Sequence, residues 1–155
     1  MQELSAIGVE TDTDWFRHHL GEYYPLDEEV VGILLRWLPR MKHKGAILET
    51  MAALTNAKKR FDGTVFADIF DSLEPHNYER WQIASHIESA CPLNIENWLT
   101  EKLNSGVEGD ATQMLILAAR KILPKEQARR LVLKNFRAFQ VMLQMRSRRW
   151  ELKRM

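Results

Sequence analysis

Asp14 and His18 stand four residues apart, a spacing that puts a carboxylate and an imidazole on one face of a helix and can hold a divalent ion. Asp12 and His19 flank them. A metal site needs three or four converging donors, and no second cluster supplies the rest, so the pair reads as solvated surface or a cap and no metal or other cofactor is expected. His43, His76 and His86 fall singly in separate segments, where imidazoles are usually satisfied by backbone or water. Cys91, at the end of an apolar stretch before Pro92, reads as a small buried hydrophobe and not as a nucleophile. Gly-x-Ser-x-Gly, Gly-x-x-x-x-Gly-Lys-Ser/Thr and Gly-x-Gly-x-x-Gly are all missing, which removes the usual signatures of serine hydrolases and nucleotide sites. The sequence therefore points away from an enzyme.

Binding chemistry is better represented. From Lys125 onward ten basic residues face only Glu126 and Glu151, a net charge of +8, which leaves −7 on the remainder of a chain whose total is +1. The apolar residues Phe136, Phe139, Met142, Leu143 and Met145 lead into Arg146, Arg148, Arg149, Trp150, Lys153 and Arg154. A basic helix with an aromatic residue suits nucleic-acid phosphate, an acidic protein groove or a membrane surface. It also suits the end of a helical stack, because arginine stems cover apolar surface while their heads stay in water. The capping role is the favoured one.

The elements that position these residues read as helices throughout. Apolar residues recur three and four apart, and the alternating β-branched runs of strands are missing. Helices are expected over Glu28 to Trp37, stopped by Pro39; over Lys44 to Lys58; from a Thr64 cap through Val65, Ile69 and Leu73; over Tyr78 to Ala90 behind Asn77; over Ile95 to Leu103; and over Ala111 to Leu123 behind Asp110. Pro124 opens the last stretch. With 155 residues, 45% hydrophobic and 28% charged, one domain spanning 1–155 is expected. One cysteine excludes an intrachain disulfide, and neither a signal segment nor a membrane span is legible, so the expected setting is cytoplasmic.

These helices repeat. Ile47, Leu48, Met51 and Leu54 recur 36 positions on as Ile83, Ala84, Ile87 and Ala90, and 32 further as Leu115, Ile116, Ala119 and Ile122. Val65, Ile69 and Leu73 are expected to recur 30 on as Ile95, Leu99 and Leu103. A period in the thirties, made of two antiparallel helices, marks an α-solenoid in which each pair buries its apolar face on the next.

The runs Tyr24-Pro25-Leu26-Asp27-Glu28, Leu34-Leu35-Arg36-Trp37-Leu38-Pro39, Ala53-Leu54-Thr55 with Glu49 before it, Arg80-Trp81-Gln82-Ile83-Ala84 and Gln113-Met114-Leu115-Ile116-Leu117-Ala118 resemble the small bacterial HEAT-repeat, or armadillo-like, proteins over about residues 20 to 135. The resemblance implies an all-α superhelix of stacked HEAT-like hairpins and an interaction scaffold, and it brings no catalytic residues. About three and a half repeats are expected, with a cap helix over 14–24 and a basic cap helix over 136–155. The second helix of each pair would line the concave face. That places Glu49, Arg80, Trp81 and Arg120 as candidate partner contacts, with Arg146, Arg148, Arg149, Lys153 and Arg154 as a separate basic patch. Trp81 packing across a hairpin junction, with Arg80 paired to Glu79, Asp71 or Glu74, is the competing and favoured structural role. The expected function is non-catalytic protein binding. The alternatives are nucleic-acid binding, with base chemistry of the kind found in HEAT-like glycosylases, and a toxin-neutralising or regulatory partner.

Overall fold

The computed structural model describes residues 25–136, apart from 76, 107 and 108. Six helices are bounded within it: α1 (Glu28–Trp37), α2 (Lys44–Leu54), α3 (Thr64–Ser72), α4 (Tyr78–Ala90), α5 (Glu96–Ser105) and α6 (Ala111–Ile122). A 3-10 turn, Leu38–Arg40, follows α1. Residues 125–136 are helical again and are called α7. No strand occurs among the described residues, and none of the helices there is long and apolar enough to cross a membrane. The expected 14–24 helix, the Asp14–His18 pair and the arginine-rich residues from 137 onward lie outside the described residues.

Local chemistry sets the helix ends. Glu28 and Glu29 sit in the first turn of α1 and Arg36 in its last, each favourable to the helix dipole. Asn77 caps α4 by accepting the Glu79 backbone N–H at 2.9 Å and donating to the Glu79 carboxylate at 3.1 Å. Gly106 closes α5 in the left-handed region at φ 70, where a side chain is strained.

The second helix stops at Leu54, four residues before its expected end. Leu26 N–H donates to the Asn56 carbonyl (2.9 Å) and Lys58 N–H to the Leu26 carbonyl (3.0 Å), so residues 56–58 pair with the strand-like entry to α1 and cannot stay helical. The same pairing occurs again further along the chain. Gly63 N–H donates to Leu93 O (2.9 Å) and Leu93 N–H to Phe61 O (2.7 Å). The bridged pairs, Leu26 with Ala57 and Asp62 with Leu93, are displaced by 36 positions, the same shift that relates α2 to α4.

Packing follows an alternating plan. α1 lies against α2, α3 against α4 and α5 against α6, while the even helices also pack on one another in the order α2, α4, α6. Met51, Ile87 and Ala119, the matched centres of those three helices, are each 0% exposed. The odd helices correct the expected register. Val65, Ile69 and Leu73 are only partly buried, and the interior side of α3 is Phe66, Ala67 and Phe70. Two apolar rows run along this helix one residue apart, and the row with the larger aromatic area takes the core. Phe66 and Phe70 then match Leu99 and Leu103 with a shift of 33, not 30, and Val30 and Leu34 with a shift of 36.

Candidate functional site

The even helices pack on one another in sequence, and polar ties join their ends. Lys44 Nζ lies 3.1 Å from the Glu79 carboxylate, joining the start of α2 to the start of α4. Lys121 Nζ lies 2.5 Å from Glu88, joining the ends of α4 and α6. These are solvent-facing pairs of small energetic weight, but they fix neighbours at 35 and 33 residues' separation. Between them the matched positions Glu49, Ser85 and Leu117 make a half-buried line across the three helices, and Ala52, Glu88 and the exposed Arg120 make a second line.

The four candidate contacts do not converge. Arg80 is buried at 6% exposure: its Nε donates to the Phe70 carbonyl at 3.1 Å and its guanidinium carbon lies 4.7 Å from the centre of the Phe70 ring. This corrects its expected place on the partner surface, because the carbonyl and ring inside the α3–α4 hairpin give the guanidinium a better seat than solvent does. Glu79, one of its expected partners, accepts from Lys44 and Asn77. Asp71, another, is held by Trp98 and Lys102. Trp81 is half-buried and stacks on Tyr78, with ring centres 5.5 Å apart and planes at 16°. Glu49 is half-buried on α2 and Arg120 exposed in the last turn of α6. Since Trp81 matches Gln113, Arg120 lies seven residues, about 10 Å, further along the helix axis. The basic patch Arg146, Arg148, Arg149, Lys153 and Arg154 lies outside the described residues.

Sequence reasoning missed Tyr78, which is 67% exposed and completes the aromatic pair; its place just after a cap residue gave no periodic signal. It also missed the odd-helix junctions, although Trp98 and Lys102 at four-residue spacing could have been matched to Asp71 once the shift of 33 is used.

No group of three or more metal-ligating side chains occurs among the described residues. Burial holds the half-buried His86 below its ordinary value of 6.5. Asp62 is held below the usual carboxylate range, chiefly by the Thr64 hydroxyl, then by the Thr64 N–H and Asn94. Cys91 keeps its thiol 3.1 Å from the Glu88 carbonyl. Comparison of the chain with protein-family models, with curated proteins and with solved structures returns no match.

Proposed function

We propose that the chain is a non-catalytic protein-interaction scaffold, a short superhelix of HEAT-like hairpins whose even-helix row receives a partner. The observation that carries this is the spacing of the ties between hairpins. Lys44 with Glu79, Lys102 with Asp71 and Lys121 with Glu88, 31 to 35 residues apart, brace each hairpin on its neighbour, while Lys58 with Asp27 and Asn94 with Asp62 join the entry and exit of one hairpin. A row braced in this way offers a preformed surface, and rigid surfaces bind with little ordering cost. Glu49, Trp81 and Arg120 stand at three levels of that row and suit an extended segment better than a compact ligand. The test is a displayed-peptide selection against the full chain, followed by affinity measurement with Ser85→Arg, which places a bulky cation on the middle line. Loss of about tenfold or more in affinity, with the melting temperature held, is the expected result. Binders indifferent to Ser85→Arg and to Trp81→Ala would refute the row as the docking surface.

A second reading has one observation in its favour: Arg120, Lys125, Arg129 and Arg130 are all exposed around the α6–α7 turn. A cationic end of this kind fits nucleic-acid phosphate, and binding to a labelled duplex would then weaken steeply with salt. No binding in low-salt buffer would dismiss it.

A further inference from the structure

The junctions between odd helices are built unequally. Between α3 and α5 the Trp98 ring stands edge-on to Phe70, with centres 5.4 Å apart and planes at 85°, and its Nε1–H donates to Asp71 at 3.0 Å. Lys102, one turn on, brings its ammonium to 2.6 Å from the same carboxylate. Between α5 and α7 Lys134, 32 residues after Lys102, donates to the backbone and side-chain oxygens of Asn104 at 2.9 and 3.0 Å. Carried back to the α1–α3 junction by the shifts the core establishes, the places of Trp98, Lys102 and Asp71 fall on Val65, Ile69 and Leu35. A valine stands where the next junction has an indole. The consequence is a shallow groove of about 330 Å³ floored by Leu35, Pro39 and Val65, with Arg36, Asp62 and Asp68 on its rim.

The rim favours a cation. Asp62 accepts from the Thr64 N–H (2.9 Å), the Thr64 hydroxyl (2.7 Å) and Asn94 (2.9 Å), neutral donors that leave its charge in place. Asp68 is exposed on the same rim, so two carboxylates stand there against the one guanidinium of Arg36. We propose that the α1–α3 groove docks a peptide segment presenting an aromatic side chain and, four residues later, a lysine or arginine. The ring would lie against Leu35 and Val65, in the room the missing indole leaves, and the cation beside Asp68; the place of Asp71 is Leu35 here, so the carboxylate that meets the cation comes from α3 itself. The groove lies between odd helices, apart from the even row, and does not depend on that row binding anything.

The probe is a lactam-stapled, alanine-based helical peptide with Trp and Lys four residues apart, titrated into the isotope-labelled full chain and followed by amide chemical shifts. Saturable shifts centred on Leu35, Val65 and Asp68 are expected. Replacing the probe's Trp by Ala, or introducing Val65→Trp into the chain, should weaken binding about tenfold or more. Asp68→Lys should weaken it several-fold, and more at low salt than at high salt. Glu101→Lys, the counterpart of Asp68 one junction on, should leave affinity unchanged, as should Ser85→Arg on the even row. Because Asp68 is exposed, its replacement tests charge without threatening the fold. Absence of saturable shifts, shifts centred on Tyr78 and Trp81, or equal affinity for the Val65→Trp chain would overturn the proposal.

Discussion

Gly63 shows how much one residue's lack of a side chain can decide. A Cβ built there would meet Pro92 at 2.6 Å and Ile95 at 3.0 Å, because the entry to α3 passes directly over the exit of α4, where Gly63 N–H bonds Leu93 O. The atoms in the way belong to a rigid proline ring and a buried isoleucine, so they cannot swing aside. Gly63→Ala is therefore expected to destabilise the chain by about 1–3 kcal/mol, read as a lower denaturant midpoint with an unchanged slope; an alanine variant of equal stability would show that the two segments are not held together. His86 makes a separate prediction about pH. Burial favours its neutral form in the folded chain, so below 6.5 the unfolded state takes up a proton that the folded state resists, and stability falls as pH drops through that region. The slope cannot exceed about 1.4 kcal/mol per pH unit for one proton. Melting temperature measured between about pH 7.5 and 5.5, a window around the ordinary histidine value and above that of Asp62, should decline, and His86→Gln should flatten the decline. An unchanged slope in the variant would assign the effect to another group.

At the scale of the element, Arg80 joins the two helices of a hairpin from inside. Its stem is buried, its Nε answers the Phe70 carbonyl near the end of α3, and its charge lies over the Phe70 ring. Arg80→Met keeps an apolar stem but leaves that carbonyl without this donor, and should cost about 1–3 kcal/mol; a loss confined to binding, with stability intact, would restore Arg80 to a partner surface. The same residue marks where sequence reading reaches its limit. Helix ends at Pro39, Asn77 and Cys91 were legible because caps and breakers act through their immediate neighbours, and the 36- and 32-residue shifts of the even helices were legible because one apolar row dominates each. On α3 two rows compete, and which one faces inward depends on the side chains opposite, which no local pattern records. The early stop of α2 depended on Leu26, 28 residues before Leu54, for the same reason. For Arg80 the sequence offers a partner surface or, in preference, a nearby carboxylate; only the hairpin's geometry reveals the Phe70 carbonyl and ring that accept it. The helices that carry Glu49, Arg80, Trp81 and Arg120 were thus legible, whereas the exposure of these residues and their mutual distances were not.

For the molecule as a whole, the consequence of stacking is that stability is distributed unevenly along the chain. Each hairpin packs on the next through its even helix, and the two interfaces between neighbours differ. α4 and α6 pack along most of their length through Ile83, Ile87, Leu115 and Ala119, all at 0–1% exposure, while the contact between α2 and α4 is much less extensive. The odd helices reinforce the difference, since Trp98 and Lys102 tie α5 to Asp71 whereas the α1–α3 junction holds an open groove. The α1–α2 hairpin should therefore open by itself, with α4 and α6 still folded, as a partial unfolding of lower free energy than the global one. Native-state hydrogen exchange should show Leu34 and Met51 amides exchanging at least about tenfold faster than those of Ile87 and Leu115, a gap of about 1.4 kcal/mol or more. Ile87→Ala, which opens a cavity at the heart of the α4–α6 interface and should cost about 2–5 kcal/mol, should lower protection in α4 and α6 the most and narrow that gap. Equal protection across all four amides before substitution would mean that the chain unfolds as a single unit and that the two interfaces, for all their difference in extent, are equally strong.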